Sequence, residues 1–99
     1  MPNYSEIANF NGRFFLEEEY DTLIHVNTAF VVDDGDCYIY ARCNTFSPRG
    51  HMNSDNYIRF GKVDKDQYFI QDYYREVTPE EASEIFDKRI NEIKTNFGL

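Results

Sequence analysis

Apolar and polar residues alternate along most of this chain, and only its last fifth switches to helical spacing. Over residues 79–96, Ala82, Ile85, Phe86, Ile90 and Ile93 recur at helical spacing, three or four apart with Ile85 and Phe86 adjacent, and form one apolar stripe. Thr78, Pro79 and Glu81 read as N-cap, N1 and N3, a capping box in which the hydroxyl accepts from the N3 amide. Glu80 and Glu81 complement the positive start of the helix, and Lys88, Arg89 and Lys94 its negative end. Gly98 lies near the stop, and Glu84 and Lys88 form a supporting pair one turn apart. A helix with one apolar face must pack on something, and the remainder of the chain offers only strands.

Strands are predicted over about 13–18, 22–32, 37–43, 57–60 and 67–75. Strict alternation puts Ile24, Val26, Thr28, Phe30 and Val32 on one face of the second strand. In the third, Cys37, Ile39, Ala41 and Cys43 share a face, with Tyr38, Tyr40 and Arg42 opposite. Asn11-Gly12 is a two-residue hairpin signal, and Asp33-Asp34-Gly35-Asp36 turns the chain between the central strands. Tyr4, Ile7, Ala8 and Phe10 also come close to helical spacing, so the N-terminal segment has a short helix as its alternative. Residues 44–56 are rich in turn formers and have no period, which predicts a long loop. The expected fold is α+β: one domain over residues 1–99, with about five antiparallel strands packed by one C-terminal amphipathic helix.

Nine Phe and eight Tyr in 99 residues supply a dense core and argue against disorder. No stretch reaches the roughly 18–20 apolar residues of a membrane span, and the N-terminus lacks a basic region followed by an apolar one, so a cytoplasmic protein is expected. Cys37 and Cys43 fit that setting: six positions apart on one strand, they stand about 20 Å from each other. That separation excludes a disulfide and a shared metal site.

Charge is uneven. Residues 1–36 carry eight acids against one base, residues 37–62 one acid against four bases, and residues 63–99 nine acids against five bases, within a net charge of −8. Direct nucleic-acid binding is disfavoured by that total, and a protein partner with a basic surface is favoured.

No motif specifies a reaction. Cys37, Cys43, Ser47, His25 and His51 carry no nucleophile signature, and there is no phosphate-binding glycine pattern. The aspartate clusters fit turns better than calcium loops, so neither a metal nor a cofactor is expected. Glu17, Glu18, Glu19, Asp21, Asp33, Asp34, Asp36, Glu80 and Glu84 are the candidates for an acidic docking surface. Phe46, Arg49 and His51 are the candidates for recognition within the 44–56 loop. A tyrosine ribbon of Tyr38, Tyr40, Tyr57 and Tyr68 offers an interaction platform, although the second sheet face is expected to be covered by the N-terminal segment.

In composition the chain resembles small phage- and mobile-element-encoded proteins that act by binding a host protein. The leading expectation is a non-catalytic inhibitor-like module whose carboxylates stand in for phosphates on a nucleic-acid-binding surface of its partner. The alternatives are a small-ligand or catalytic domain built on the 44–56 loop, and a homodimeric structural subunit.

Overall fold

The computed structural model describes residues 7, 9–65 and 67–99. Tyr4 and Ala8, two positions behind the N-terminal helix alternative, lie outside the described residues, as does Asp66. The elements are β1 (Phe14–Glu17), β2 (Thr22–Asp33), β3 (Cys37–Phe46), β4 (Met52–Asp64), β5 (Gln67–Ile70), β6 (Tyr74–Val77) and α1 (Pro79–Asn96). All strand pairs are antiparallel, in the order β5-β4-β3-β2-β1-β6.

That order rolls the sheet. β5 and β6 stand at opposite edges, yet only residues 71–73 separate them. Four Cα steps reach at most about 14 Å, whereas five strand spacings of a flat sheet are about 24 Å. The sheet therefore curls into a near-barrel. The connection is tied to both sides of the seam: Gln71 N donates to Phe60 O at 3.1 Å, and Glu18 N to Tyr73 O at 2.8 Å.

Each face of the sheet serves a separate core. Inside the roll, Phe15, Ile24, Val26, Ala29, Ile39, Ala41, Cys43 and Phe60 pack around Ile7 and Phe10. On the outside, Leu23, Phe46 and Val77 meet Ala82 of the helix, with Phe14, Leu16, Phe86 and Ile90 around them. The helix begins as its cap signals predict, with Thr78 Oγ1 accepting from Glu81 N at 3.1 Å.

Several expectations change. Six strands lie among the described residues, because the 67–75 segment breaks at the 71–73 turn, where Tyr74 N donates to Gln71 O at 3.0 Å. The 44–56 loop contracts to residues 47–51, since β3 continues to Phe46 and β4 starts at Met52. Polar Asn53, Ser54, Asp55 and Asn56 hide that strand start from any hydrophobic pattern, and Asp55 adopts a left-handed φ of 56° where the ladder is irregular. The Asn11-Gly12 turn forms, with Gly12 at φ 83°, but it follows a short 3₁₀ turn at Asn9–Phe10 instead of a strand.

The largest change lies in β2. Val26 pairs with Cys43 and Thr28 with Arg42, so Asn27 is an extra residue in the ladder. One extra residue reverses the faces beyond it. Ile24 and Val26 point inward, but past the bulge it is Ala29 and Val31 that do so. Asn11 Oδ1 accepts from Ala29 N at 2.8 Å beside the irregularity. Thr28, Phe30 and Val32 are thereby turned outward.

Candidate functional site

The bulge at Asn27 and a second at Phe60 bring three strands into step on the outer surface. Ile39 pairs with Gly61 and Tyr40 with Arg59, which leaves Phe60 as the extra residue, buried in the inner core. Three cross-strand rows result: Thr28, Arg42 and Tyr57; then Phe30, Tyr40 and Arg59; then Val32, Tyr38 and Lys62. The third row continues onto β5, where Phe69 pairs with Lys62. Cations and rings therefore interleave across about 14 Å along the strands and four strands in width.

Ring geometry confirms the shared face. Phe30 and Tyr40 stack with centroids 6.4 Å apart, Tyr40 and Tyr57 lie at 5.1 Å, and Phe30 and Tyr57 at 5.6 Å. The Arg59 guanidinium sits 4.8 Å from the Tyr38 ring centre, a cation–π contact that holds both groups in place. Phe30, Tyr38, Tyr40 and Tyr57 belong to neither core cluster. Tyr57 is 54% exposed and Phe69 46%. Arg42 pairs with Asp55 at 3.9 Å with both side chains more than half exposed, a pair that contributes little.

The predicted acidic residues do not gather in the same way. Glu17 is only 8% exposed: its carboxylate accepts from Glu19 N at 2.8 Å and Tyr20 N at 3.0 Å, closing the β1–β2 turn. It is an inward-facing structural group, because the strand period sends it to the inner side next to outward Leu16. Glu18 pairs with Arg75 at 3.6 Å, and Asp21 lends its carbonyl to Arg89. Glu19 is exposed. Asp33, Asp34 and Asp36 surround the β2–β3 turn at the far end of β2, whose twelve residues span about 36 Å. Glu80 and Glu84 are exposed on the first turns of α1.

The loop candidates also part company. Phe46 is buried under the helix, 4.8 Å from Phe86, with the Arg89 guanidinium 5.7 Å from its ring centre. Arg49 is exposed on the short turn. His51 and Ser47 close that turn, with Ser47 N donating to His51 O at 2.9 Å and His51 N to Ser47 Oγ at 3.0 Å. His51 then lines an open cleft of about 370 Å³ at the end of the roll beside the 47–51 turn, with Glu17, Thr45, Asn53, Asn56 and Tyr74.

Two groups beside this cleft, the Cys43 thiol and the Tyr74 phenol, are held neutral by their surroundings. Burial, then Asp55, pushes the Cys43 thiol up to about 11, and Cys43 Sγ donates to Asn56 O at 3.4 Å. Burial first, then Tyr73 and Glu17, raises the Tyr74 phenol above its ordinary range. A protonated, buried thiol is a poor nucleophile. His25 packs against Phe14 with ring centres 4.8 Å apart, on the opposite side of the sheet from Cys43. Among the described residues no three His, Cys, Asp or Glu side chains come together as a metal site requires, and no helix is long and apolar enough to cross a membrane.

Sequence reasoning had Tyr38, Tyr40 and Tyr57 on one ribbon but misplaced two members. Phe30 looked like a core residue because strict alternation cannot register the Asn27 bulge. Tyr68 pairs with inward Val63 and packs edge-on against Phe10 at 5.8 Å, so it leaves the ribbon and Phe69 replaces it. The cluster of four bases in residues 37–62 was the available signal for the cationic half of the face.

No family model, curated protein or solved structure matches this chain.

Proposed function

We propose that this chain is a binding module without chemistry of its own, and that it engages an anionic partner through the outer face of β2, β3 and β4. One observation carries the reading: Arg42, Arg59 and Lys62 interleave in register with Phe30, Tyr38, Tyr40 and Tyr57 on a surface that neither core cluster uses. Tyrosine and arginine are the types that dominate binding energy when they become desolvated at an interface. This reading takes the place of the expected docking of carboxylates onto a basic partner, because the candidate carboxylates are dispersed over the β1–β2 turn, the β2–β3 turn and the start of α1.

Capture from a nuclease-treated and an untreated lysate tests the assignment. Wild-type protein is expected to retain a bound species that Arg42→Glu with Arg59→Glu releases and that Glu80→Lys with Glu84→Lys keeps. The reverse pattern would instead support acidic docking onto a basic partner.

A second reading rests on the cleft beside the 47–51 turn. Its volume of about 370 Å³ falls within the range of roughly 300–1,000 Å³ used for small ligands, and it is lined by His51, Asn53, Asn56 and Tyr74. A ligand there would raise the melting temperature with the logarithm of its concentration above Kd, and Asn53→Ala with His51→Ala would abolish that rise.

A further inference from the structure

The proposed face has a chemistry more specific than negative charge, and we infer that its occupant is single-stranded nucleic acid, bound with bases on the rings and phosphates on the cations. This inference rests on the reading of the face given above. Its components are those that a sequence-tolerant single-strand site requires: π faces for successive bases and cations that track the backbone. Both are present, and they alternate.

Along the strands, Arg42, Tyr40 and Tyr38 occupy consecutive outward positions, as do Tyr57, Arg59 and Lys62 on the neighbouring strand. A strand crossing the rows therefore meets a ring and a cation at each step of about 6.6 Å. Tyr57 and Phe69, half exposed at the two ends of the face, leave ring surface open for stacking. Tyr38 and Arg59 already hold each other, which fixes the guanidinium without consuming its outward donors.

The acidic remainder of the molecule narrows the occupant further. A duplex is a wide polyanion and would carry its phosphates past Asp33, Asp34 and Asp36 at one end of the face and Asp55 at the other. A single strand of about four nucleotides fits within the rows. At physiological salt the Debye length of about 8 Å screens carboxylates farther away, so the net charge of −8 slows encounter without forbidding contact.

Fluorescence anisotropy with 5′-labelled dT12 and U12, each titrated at several salt concentrations, tests this directly. Binding is expected, with log K falling against log salt at a slope of about −2, the value for three neutralised phosphates on a single strand. Tyr57→Ala is expected to weaken binding roughly 5- to 150-fold, the range of one base–aromatic stack. Arg59→Gln is expected to flatten the slope by about 0.7. The chain contains no Trp, and three of its eight tyrosines, Tyr38, Tyr40 and Tyr57, lie on the face, so part of the tyrosine emission should be quenched as bases stack, and less of it in Tyr57→Ala. Lys88→Gln, on the solvent side of the helix, serves as the control and should change nothing. Far-UV circular dichroism confirms that each variant is folded.

A comparison of dT12 with U12 tells DNA from RNA, and a duplex of the same length should bind more weakly than either. Absence of binding by both oligonucleotides at low salt overturns the inference, as does binding that ignores Tyr57→Ala and Arg59→Gln. If a protein is still captured from nuclease-treated lysate and released by Arg42→Glu with Arg59→Glu, the face is a binding surface and only its ligand class is wrong. If neither oligonucleotide nor captured species responds to the face variants, the function proposed above falls as well.

Discussion

Arg89 should be worth more to this fold than any other charged residue, and the reason is its position between three elements. It sits on the apolar side of α1, only 9% exposed. Nη1 donates to Phe46 O at 2.6 Å at the end of β3, and Nη2 donates to Asp21 O in the β1–β2 turn. Its stem and ring-facing guanidinium also cover Phe46. Burial lowers its pKa, with Asp21 and Glu92 opposing that shift, but a guanidinium stays charged throughout the usable pH range. Arg89→Met keeps the stem and removes the donors. Two hydrogen bonds from a charged donor are worth about 1.5 kcal/mol each at the low end. Relief from burying a charge returns part of that, because an apolar side chain carries no desolvation cost. The net expectation is a loss of about 2 kcal/mol, or roughly 8–16 °C in melting temperature for a chain this long. Urea unfolding followed by circular dichroism and tyrosine fluorescence gives the number. Arg89→Lys should lose about half as much, since one amine cannot reach both carbonyls. A change below about 0.5 kcal/mol for Arg89→Met, the level of an ordinary surface substitution, would refute the clamp.

Gly61→Ala should be at least as costly, because a Cβ there would stand 2.2 Å from the backbone oxygen of Phe69 and β5 would have to move; hydrogen exchange should show β5 amides losing protection first. Thr78→Ala removes the hydroxyl that caps α1 and should cost about 1 kcal/mol, read as a shifted urea midpoint with an unchanged slope. The Cys43 thiol, raised by burial to about 11, gives a pH signature. Because its folded pKa lies above the unfolded value of roughly 8.5, its contribution is complete below that value and is lost as pH rises through about 11. Native protein at pH 8 should accordingly leave Cys43 unlabelled by iodoacetamide, with labelling appearing in urea.

The helix was legible because its signals are local: a capping box, an apolar stripe and charges matched to its ends all lie within twenty residues. The β2–β3 hairpin was legible for a related reason, since the aspartate-glycine turn and the inward set of Ile39, Ala41 and Cys43 sit side by side. What alternation could not carry was any insertion into the ladder. Asn27 and Phe60 each add one residue, and each reverses the faces of everything beyond it. Reading β2 without its bulge put Phe30 in the core and so dissolved the candidate face. β1 lies within the predicted 13–18, but its faces were not legible: Phe14 and Leu16 serve the helix side while Phe15 serves the inner core, so a strand covered on both faces shows no alternation. Glu17 was assigned to an acidic docking surface and Arg89 only to the charge balance of the helix end, and both are buried because backbone groups pair with them. No local pattern announces such partners, which lie up to 68 positions away.

The distribution of charge gains a physical sense from this geometry. A rolled sheet has one inside, and here the helix covers part of the outside around Leu23, Phe46 and Val77. Strand positions beyond the helix face water, where solubility alone would favour small or charged polar side chains. Instead they hold Phe30, Tyr38, Tyr40, Tyr57 and Phe69, which carry a standing risk of self-association between copies. The net charge of −8 opposes that risk by repulsion between molecules. Solubility alone would not gather Arg42, Arg59 and Lys62 among the rings, since carboxylates at those positions would serve it better. Acidic docking would not require them either. The two features are reconciled if the acids keep copies apart while the cations single out a ligand whose own charge is negative and whose flat surfaces match the rings.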